Sequence, residues 1–275
     1  MLKIVIDAGH GLYTSGKRCM KKLDPKQTRE WTLNDRIADK VESLLQGYDG
    51  YQLLRADDST GKKDVSLNDR VKAANSFDAD IYLSLHHNAG IKGGKGGGIV
   101  AYIAKTASAE SEQWQKALYN ELIAATGLKG NRASPLVRKN FAVVKKTKMP
   151  AVLLELGFMD SATDVPVILT EAYADKAAGA IVRVLANRGK LTVKAEVCNV
   201  ELPVLKKGSK LPAVKAMQIL LMGHGFEMTN GGKTYDADGS FGGATDNALR
   251  AFQKAKGLSV DGSCGPKTWS ALLEV

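Results

Sequence analysis

Apolar positions recur with two different periods along the first two thirds of the chain, and the switching between them predicts its elements. Short apolar runs without helical spacing stand at 3–6, 51–54, 80–85, 99–103, 141–144 and 151–158, and each reads as a strand. Between them the spacing lengthens. Leu33, Ile37, Val41 and Leu44 share one face of a helix that opens at Glu30 and Trp31, and Leu67, Val71 and Ala74 share a face of a second. Ser66 can cap that second helix, with Asp69 placed to complete a capping box. Further helices are expected over 108–126, ended by Gly127, and over 171–187. Strands that are apolar on both faces and alternate with helices predict an α/β fold, a three-layer domain built on a mostly parallel twisted sheet.

The pattern dissolves into a polar connector over 188–202, so a first domain is expected over 1–187 and a second over 203–275. The second stretch carries an internal repeat. Asp238-Gly239-Ser240-Phe241-Gly242-Gly243-Ala244-Thr245 matches Asp261-Gly262-Ser263-Cys264-Gly265-Pro266-Lys267-Thr268, a D-G-S-x-G-x-x-T pattern. Each copy reads as a glycine turn whose threonine caps the next helix. With helices expected over 213–223, 245–256 and 268–273, this is a small all-α three-helix domain. Its single histidine, His224, has no neighbour in a recognisable motif.

Composition narrows the class. At 275 residues and 44% hydrophobic content the chain can fill two cores, and no apolar run reaches the ~18 residues of a membrane span. The N-terminus enters a strand without a basic segment, apolar segment and cleavage site, which predicts synthesis in the cytoplasm without a secretion signal. Cys19, Cys198 and Cys264 are odd in number and far apart, so free thiols are expected. The net charge of +10 is concentrated early: up to Lys190 there are 29 basic and 21 acidic residues, and after it 10 and 8. Such a field attracts anionic partners, among them the phosphate-rich polymers of cell walls. The basic residues fall in scattered pairs such as Lys21-Lys22, Lys62-Lys63 and Lys145-Lys146, without a basic helix face, which excludes a nucleic-acid partner.

The candidate chemistry lies at strand ends. Three of four histidines stand just past two apolar runs, His10 after Ile6 and the pair His86-His87 after Leu85. Polar residues at the carboxyl ends of strands mark the ligand crevice of an open α/β sheet. Two imidazoles, a carboxylate and an open position are the ligand set of a catalytic zinc. Glu30, at the head of a helix, is the best placed carboxylate, and the glycines beside His10 are expected to let the backbone turn its ring toward the metal. Asp7 and Asn88 are candidates to accept from the far imidazole nitrogens. Glu155 is a lone carboxylate inside an apolar strand. It is either paired with a cation such as Arg138 or serves as a general base that takes a proton from zinc-bound water. The glycine-rich run 93–98 precedes a strand and lacks Gly-Lys-Ser/Thr, so it reads as a flexible lip beside the crevice and not as a phosphate loop.

Four segments in order, Val5-Ile6-Asp7-Ala8-Gly9-His10-Gly11, Glu30 opening a helix, Ser84-Leu85-His86-His87-Asn88-Ala89 and Met149-Pro150-Ala151-Val152-Leu153-Leu154-Glu155-Leu156-Gly157-Phe158, resemble the zinc-dependent N-acetylmuramoyl-L-alanine amidases of the amidase-3 type. The resemblance implies His10, Glu30 and His86 as ligands of one Zn2+, Glu155 as the catalytic glutamate, and cleavage of the amide between muramic acid and the first alanine of peptidoglycan. His87 stands where a small residue is frequent and is a second-choice ligand or a substrate contact; Arg138 is a further candidate for substrate. Leu12 to Arg18 replace the family's usual glycine-rich, Asp-containing run, and Asp160 stands where Asn often follows Gly-Phe. The C-terminal repeat, with Phe252-Gln253, is similar to the type 1 peptidoglycan-binding module. The combination resembles a bacteriophage endolysin, a monomer that reaches the wall once the membrane is opened. A sporulation autolysin of the same chemistry and an inactive wall-binding protein are the alternatives.

Overall fold

A computed structural model describes residues 1–194 and 202–273. Contacts divide the chain into two compact units, Met1–Ala195 and Glu196–Val275. In the first, β1 (Leu2–Ala8) leads through a long loop to α1 (Glu30–Leu45), then β2 (Tyr48–Asp49) and β3 (Tyr51–Arg55). Then come α2 (Leu67–Phe77), β4 (Ile81–Asn88), β5 (Ile99–Ile103) and α3 (Ala109–Thr126). The chain continues through β6 (Leu136–Arg138), α4 (Ala142–Lys145), β7 (Ala151–Phe158), α5 (Val165–Ile168), α6 (Glu171–Gly189) and β8 (Thr192–Val193). Six strands form one sheet in the order β3-β1-β4-β7-β5-β6, parallel except where β5 meets β7. The α/β expectation is met.

Strand alternation assigns each side chain to a layer. Ile4, Ile6, Leu83, Leu85, Leu154 and Leu156 pack on the side of α1, α3 and α6, with Leu33, Ile37, Leu118, Ala177 and Ile181. Val5, Tyr82, Val100 and Leu153 pack on the other side with Val71 and Ala74 of α2 and Val143 and Val144 of α4. By the same alternation Asp7, Ser84, His86 and Glu155 share the α2/α4 side, and His87 shares the α1 side. The helix starts follow the expected chemistry. Ser66 accepts from the Asp69 amide at 3.2 Å and Ser108 caps α3, whose end is closed by Gly127 in the left-handed conformation.

Three expectations are corrected. The apolar run 141–144 is helix, not strand: Phe141 packs edge-on against Tyr102 while Val143 and Val144 are buried under the sheet. The strand beside β5 is instead Leu136–Arg138. The first unit also runs past 187, since α6 extends to Gly189 and β8 pairs with β2. In the glycine-rich run Gly94 and Lys95 are exposed, but Gly97 and Gly98 are buried, and the Gly98 amide donates to Asp164 Oδ2 at 2.7 Å. A side chain at Gly98 would collide with the Gly130 backbone, so glycine there serves close packing.

The second unit holds α7 (Pro212–Gly223), a hairpin of β9 (Met228–Asn230) and β10 (Lys233–Tyr235), α8 (Gly243–Ala255) and α9 (Pro266–Leu273). The three helices match expectation and the hairpin does not. The repeat has a physical basis. Gln218 Nε2 donates to Asp238 Oδ1, Ser240 O and Thr245 Oγ1, and Gln253 Nε2 makes the same three bonds to Asp261, Ser263 and Thr268. Each glutamine also accepts from the glycine amide of its loop. The threonines therefore close the loops and are not the helix caps the sequence suggested, because α8 begins two residues earlier, at Gly243. Cys19 and Cys264 are free and buried, with thiols pushed up to about 12 by burial; Cys198 lies outside the described residues, as does 195–201 of the expected linker. Among the described residues no helix is long and apolar enough to cross a membrane.

Candidate metal centre

The carboxyl ends of β1, β4 and β7 lie side by side, and α1 begins over them. His10 follows β1, His86 ends the regular part of β4, and Glu30 is the first residue of α1. One ligand atom from each lies within 4.8 Å of the others, the one such cluster among the described residues. Glu30 Oε1 stands 3.0 Å from His86 Nδ1 and 3.4 Å from His10 Nε2, and the two rings meet edge to face. Burial works against the charge of Glu30, but hydrogen bonds and charge from His10 and His86 outweigh it and hold the carboxylate well below its ordinary range. Burial pulls His86 down, yet its hydrogen bond to Glu30 raises it on balance.

A divalent metal fits this donor set. Two imidazole nitrogens and one carboxylate oxygen leave a position open, as catalytic zinc requires. Glu30 Oε2 is buried and has no hydrogen-bond partner, with Lys17 Nζ at 3.6 Å, beyond hydrogen bonding. A buried carboxylate oxygen with no hydrogen bond, and only the half-exposed Lys17 ammonium nearby, favours a closer cation.

The local backbone explains how the imidazoles converge. His10 itself takes the left-handed conformation, φ 69°, which L-residues adopt infrequently. Arg70 of α2, fully buried, enforces it: Nη2 donates to His10 O at 2.9 Å and Nη1 to Ala8 O at 2.9 Å. Asp7 pairs with Arg70 and accepts from Tyr82 and Ser84, both at 2.8 Å. The expectation that the glycines make the bend is therefore corrected. Gly9 is needed because a side chain there would run into the His86 ring.

The other candidates sort by strand parity. Glu155 stands opposite His86 in the β4–β7 register, and its Oε2 is buried without a partner. Burial, opposed by His86, pushes its carboxyl up to about 7. His87 points to the α1 side, where Nδ1 meets Asn34 Oδ1 at 2.8 Å, and burial lowers it to about 3. It is not in the ligand cluster. Asp7 braces Arg70 and makes no bond to either imidazole, while Asn88 Oδ1 accepts from the next amide, Ala89 N, so neither fills the role expected of it. Arg138 sits two strands from Glu155, paired with Glu112 and donating to Lys105 O at 3.0 Å. It cannot neutralise Glu155.

Two supporting residues escaped the sequence reading. Asn34, one turn after Glu30, bonds His87 and donates to Gly9 O at 3.1 Å, so α1 fixes the end of β4 and the His10 loop at once. Arg70 is the other. Its signal was Asp7, a charge in mid-strand that demands a buried cation.

Residues 4–187 match the Amidase_3 family, described as N-acetylmuramoyl-L-alanine amidase, and residues 210–272 match PG_binding_1, a peptidoglycan binding domain. The sporulation-specific N-acetylmuramoyl-L-alanine amidase of Bacillus subtilis (strain 168) is 34% identical over 180 residues, covering 63% of this chain and 62% of that one. The endolysin of Bacillus phage SPP1 is 32% identical over 186 residues, covering 65% and 63%. This chain thus spans under two thirds of those relatives' length. Among solved structures, the catalytic domain of CwlV, an N-acetylmuramoyl-L-alanine amidase from Bacillus (Paenibacillus) polymyxa var. colistinus, superposes with TM-score 0.60 at 28% identity, covering 70% of this chain and 100% of its own.

Proposed function

Because this chain belongs to the N-acetylmuramoyl-L-alanine amidase family through residues 4–187, we propose that it hydrolyses the amide bond between N-acetylmuramic acid and L-alanine in peptidoglycan. The observation that carries the reading is the convergence of His10, Glu30 and His86 with Glu155 in register beside them. His10, Glu30 and His86 would hold a zinc ion, which when bound supplies Lewis acidity toward water and the scissile carbonyl.

The remaining steps belong to the protein. Glu155, held near neutrality by its surroundings, accepts a proton from the attacking water and returns it to the leaving alanine nitrogen as the C–N bond breaks. Asp7 and Arg70 keep the His10 loop in its left-handed turn, and Asn34 ties that loop to the end of β4. The second unit, matched to a peptidoglycan binding domain, would hold the enzyme on its polymer.

We place this activity in lysis of a bacterial host, acting on the wall once the membrane is opened; the likeness to a phage endolysin supports that setting. The likeness to a sporulation enzyme supports the same chemistry in an autolysin. The test is metal analysis of the purified protein together with release of stem peptides from walls. A single zinc equivalent, with release abolished by a strong chelator and restored by zinc, is the expected result. Release untouched by chelation would overturn the reading.

A further inference from the structure

Two depressions meet at the metal centre, each lined in part by His86. One, of about 390 Å³, is bounded by His10 and His86 and continues over Asp64, Ser66, Leu67 and Val143. The other, of about 360 Å³, holds Glu155, His86 and Asn88 beneath a lip that includes Lys17 and Arg18.

The two cations are set in place by main chain. Lys17 O accepts from the Glu30 amide at 3.0 Å, which joins the lip to the first residue of α1, and Arg18 pairs with Arg29 in an isolated antiparallel bridge. Lys17 Nζ lies 3.6 Å from Glu30 Oε2 with its side chain 44% exposed, and Arg18 is exposed. Among the described residues Lys17 makes no other ion pair and Arg18 makes none. Lys17 and Arg18 thus place two cations at the rim of the depression that holds Glu155. Paired cations at a rim attract an anionic group of a ligand.

We propose that Lys17 and Arg18 form a carboxylate-binding lip, so that the peptide of the substrate crosses the Glu155 side with a free carboxylate near the scissile amide, and the sugar lies toward Asp64 and Ser66. The inference rests on the amidase reading above. Two residues of extended peptide span ~7 Å, so the carboxylate is on the first or second residue beyond the bond. A carboxamide at the same place has the shape but not the charge.

Two soluble muramoyl peptides, identical except for a free carboxylate or a carboxamide on the second residue, provide the test. The expected preference in kcat/KM for the carboxylate form is about tenfold, what one charge-assisted contact at a half-exposed site supports. It should lie in KM and shrink as salt is added. Lys17→Met should bring the ratio toward unity and Lys17→Arg should preserve it. A wild-type ratio of one overturns the proposal without any variant, and so does a Lys17→Met enzyme that retains the wild-type ratio. Failure to cleave either peptide is a different result, and it removes the amidase reading together with this one.

Discussion

At the residue scale, the decisive fact is that β4 presents two adjacent histidines to opposite sides of the sheet. His86 shares its side with Glu155, whereas His87 is held by Asn34 in the α1 layer. Glu155→Ala should therefore leave zinc bound while turnover falls by roughly 10² to 10⁴, the usual worth of a general base. Metal content and single-turnover rates on one sample check this, and loss of metal would make Glu155 a ligand. Arg70→Met removes the partner of buried Asp7 and should destabilise the first unit by about 3–5 kcal/mol. Urea unfolding monitored in that unit measures it, and a cost under about 1 kcal/mol would contradict the bracing role given to Arg70. The cluster of histidines was legible because histidine is scarce and ends two strands. The choice of His86 over His87 came from the family resemblance and not from periodicity, since both faces of β4 are apolar.

At the scale of elements, the bend after β1 is made by His10 and permitted by Gly9. Gly9→Ala should weaken zinc binding on the order of 10- to 100-fold, as loss of an orienting partner does, because the added carbon occupies the place of the His86 ring. Competition with a coloured chelator reads the change, and unchanged affinity would show that His86 needs no such approach. The second unit gives a pH dependence. Asp238 is held below its ordinary value by Gln218 and the Ser240 amide, and Asp261 by the Ser263 amide and Gln253. Both favour the charged form in the fold, so their contribution is fully present above the unfolded value of 3.8 and is lost progressively as pH falls from there through the lowered folded values. Hydrogen exchange of α7 and α8 in the intact chain should accelerate below that pH, and protection that is constant from pH 6 to 3 would contradict it. The repeat itself was plain in the sequence. Its role was misread, because a threonine three residues after a glycine fits a cap as well as a loop closure, and only the glutamine one helix earlier separates the two. The helix at Ala142–Lys145 was misread for a related reason: four apolar-rich residues carry no period.

At the scale of the molecule, a unit matching a wall amidase and a unit matching a wall-binding domain occupy one chain. The division of labour we propose predicts that removing residues 196–275, the second unit, weakens adsorption to walls and leaves hydrolysis of a soluble muramoyl peptide intact. Sedimentation with walls and peptide hydrolysis, run on the same truncated protein, separate the two, and loss of peptide hydrolysis would refute it. The architecture was readable because two periods alternate through the first unit and a repeat marks the second. What pairwise packing decides, such as the Arg70 brace or the lip of Lys17 and Arg18, leaves little trace in spacing. The central claim is the bond that is cut, and the most direct measurement is identification of the new chain ends in digested walls. The account predicts free amino groups on L-alanine, without new reducing sugar ends, appearing only in the zinc-loaded enzyme. New amino groups on another residue, or new reducing ends, would contradict it.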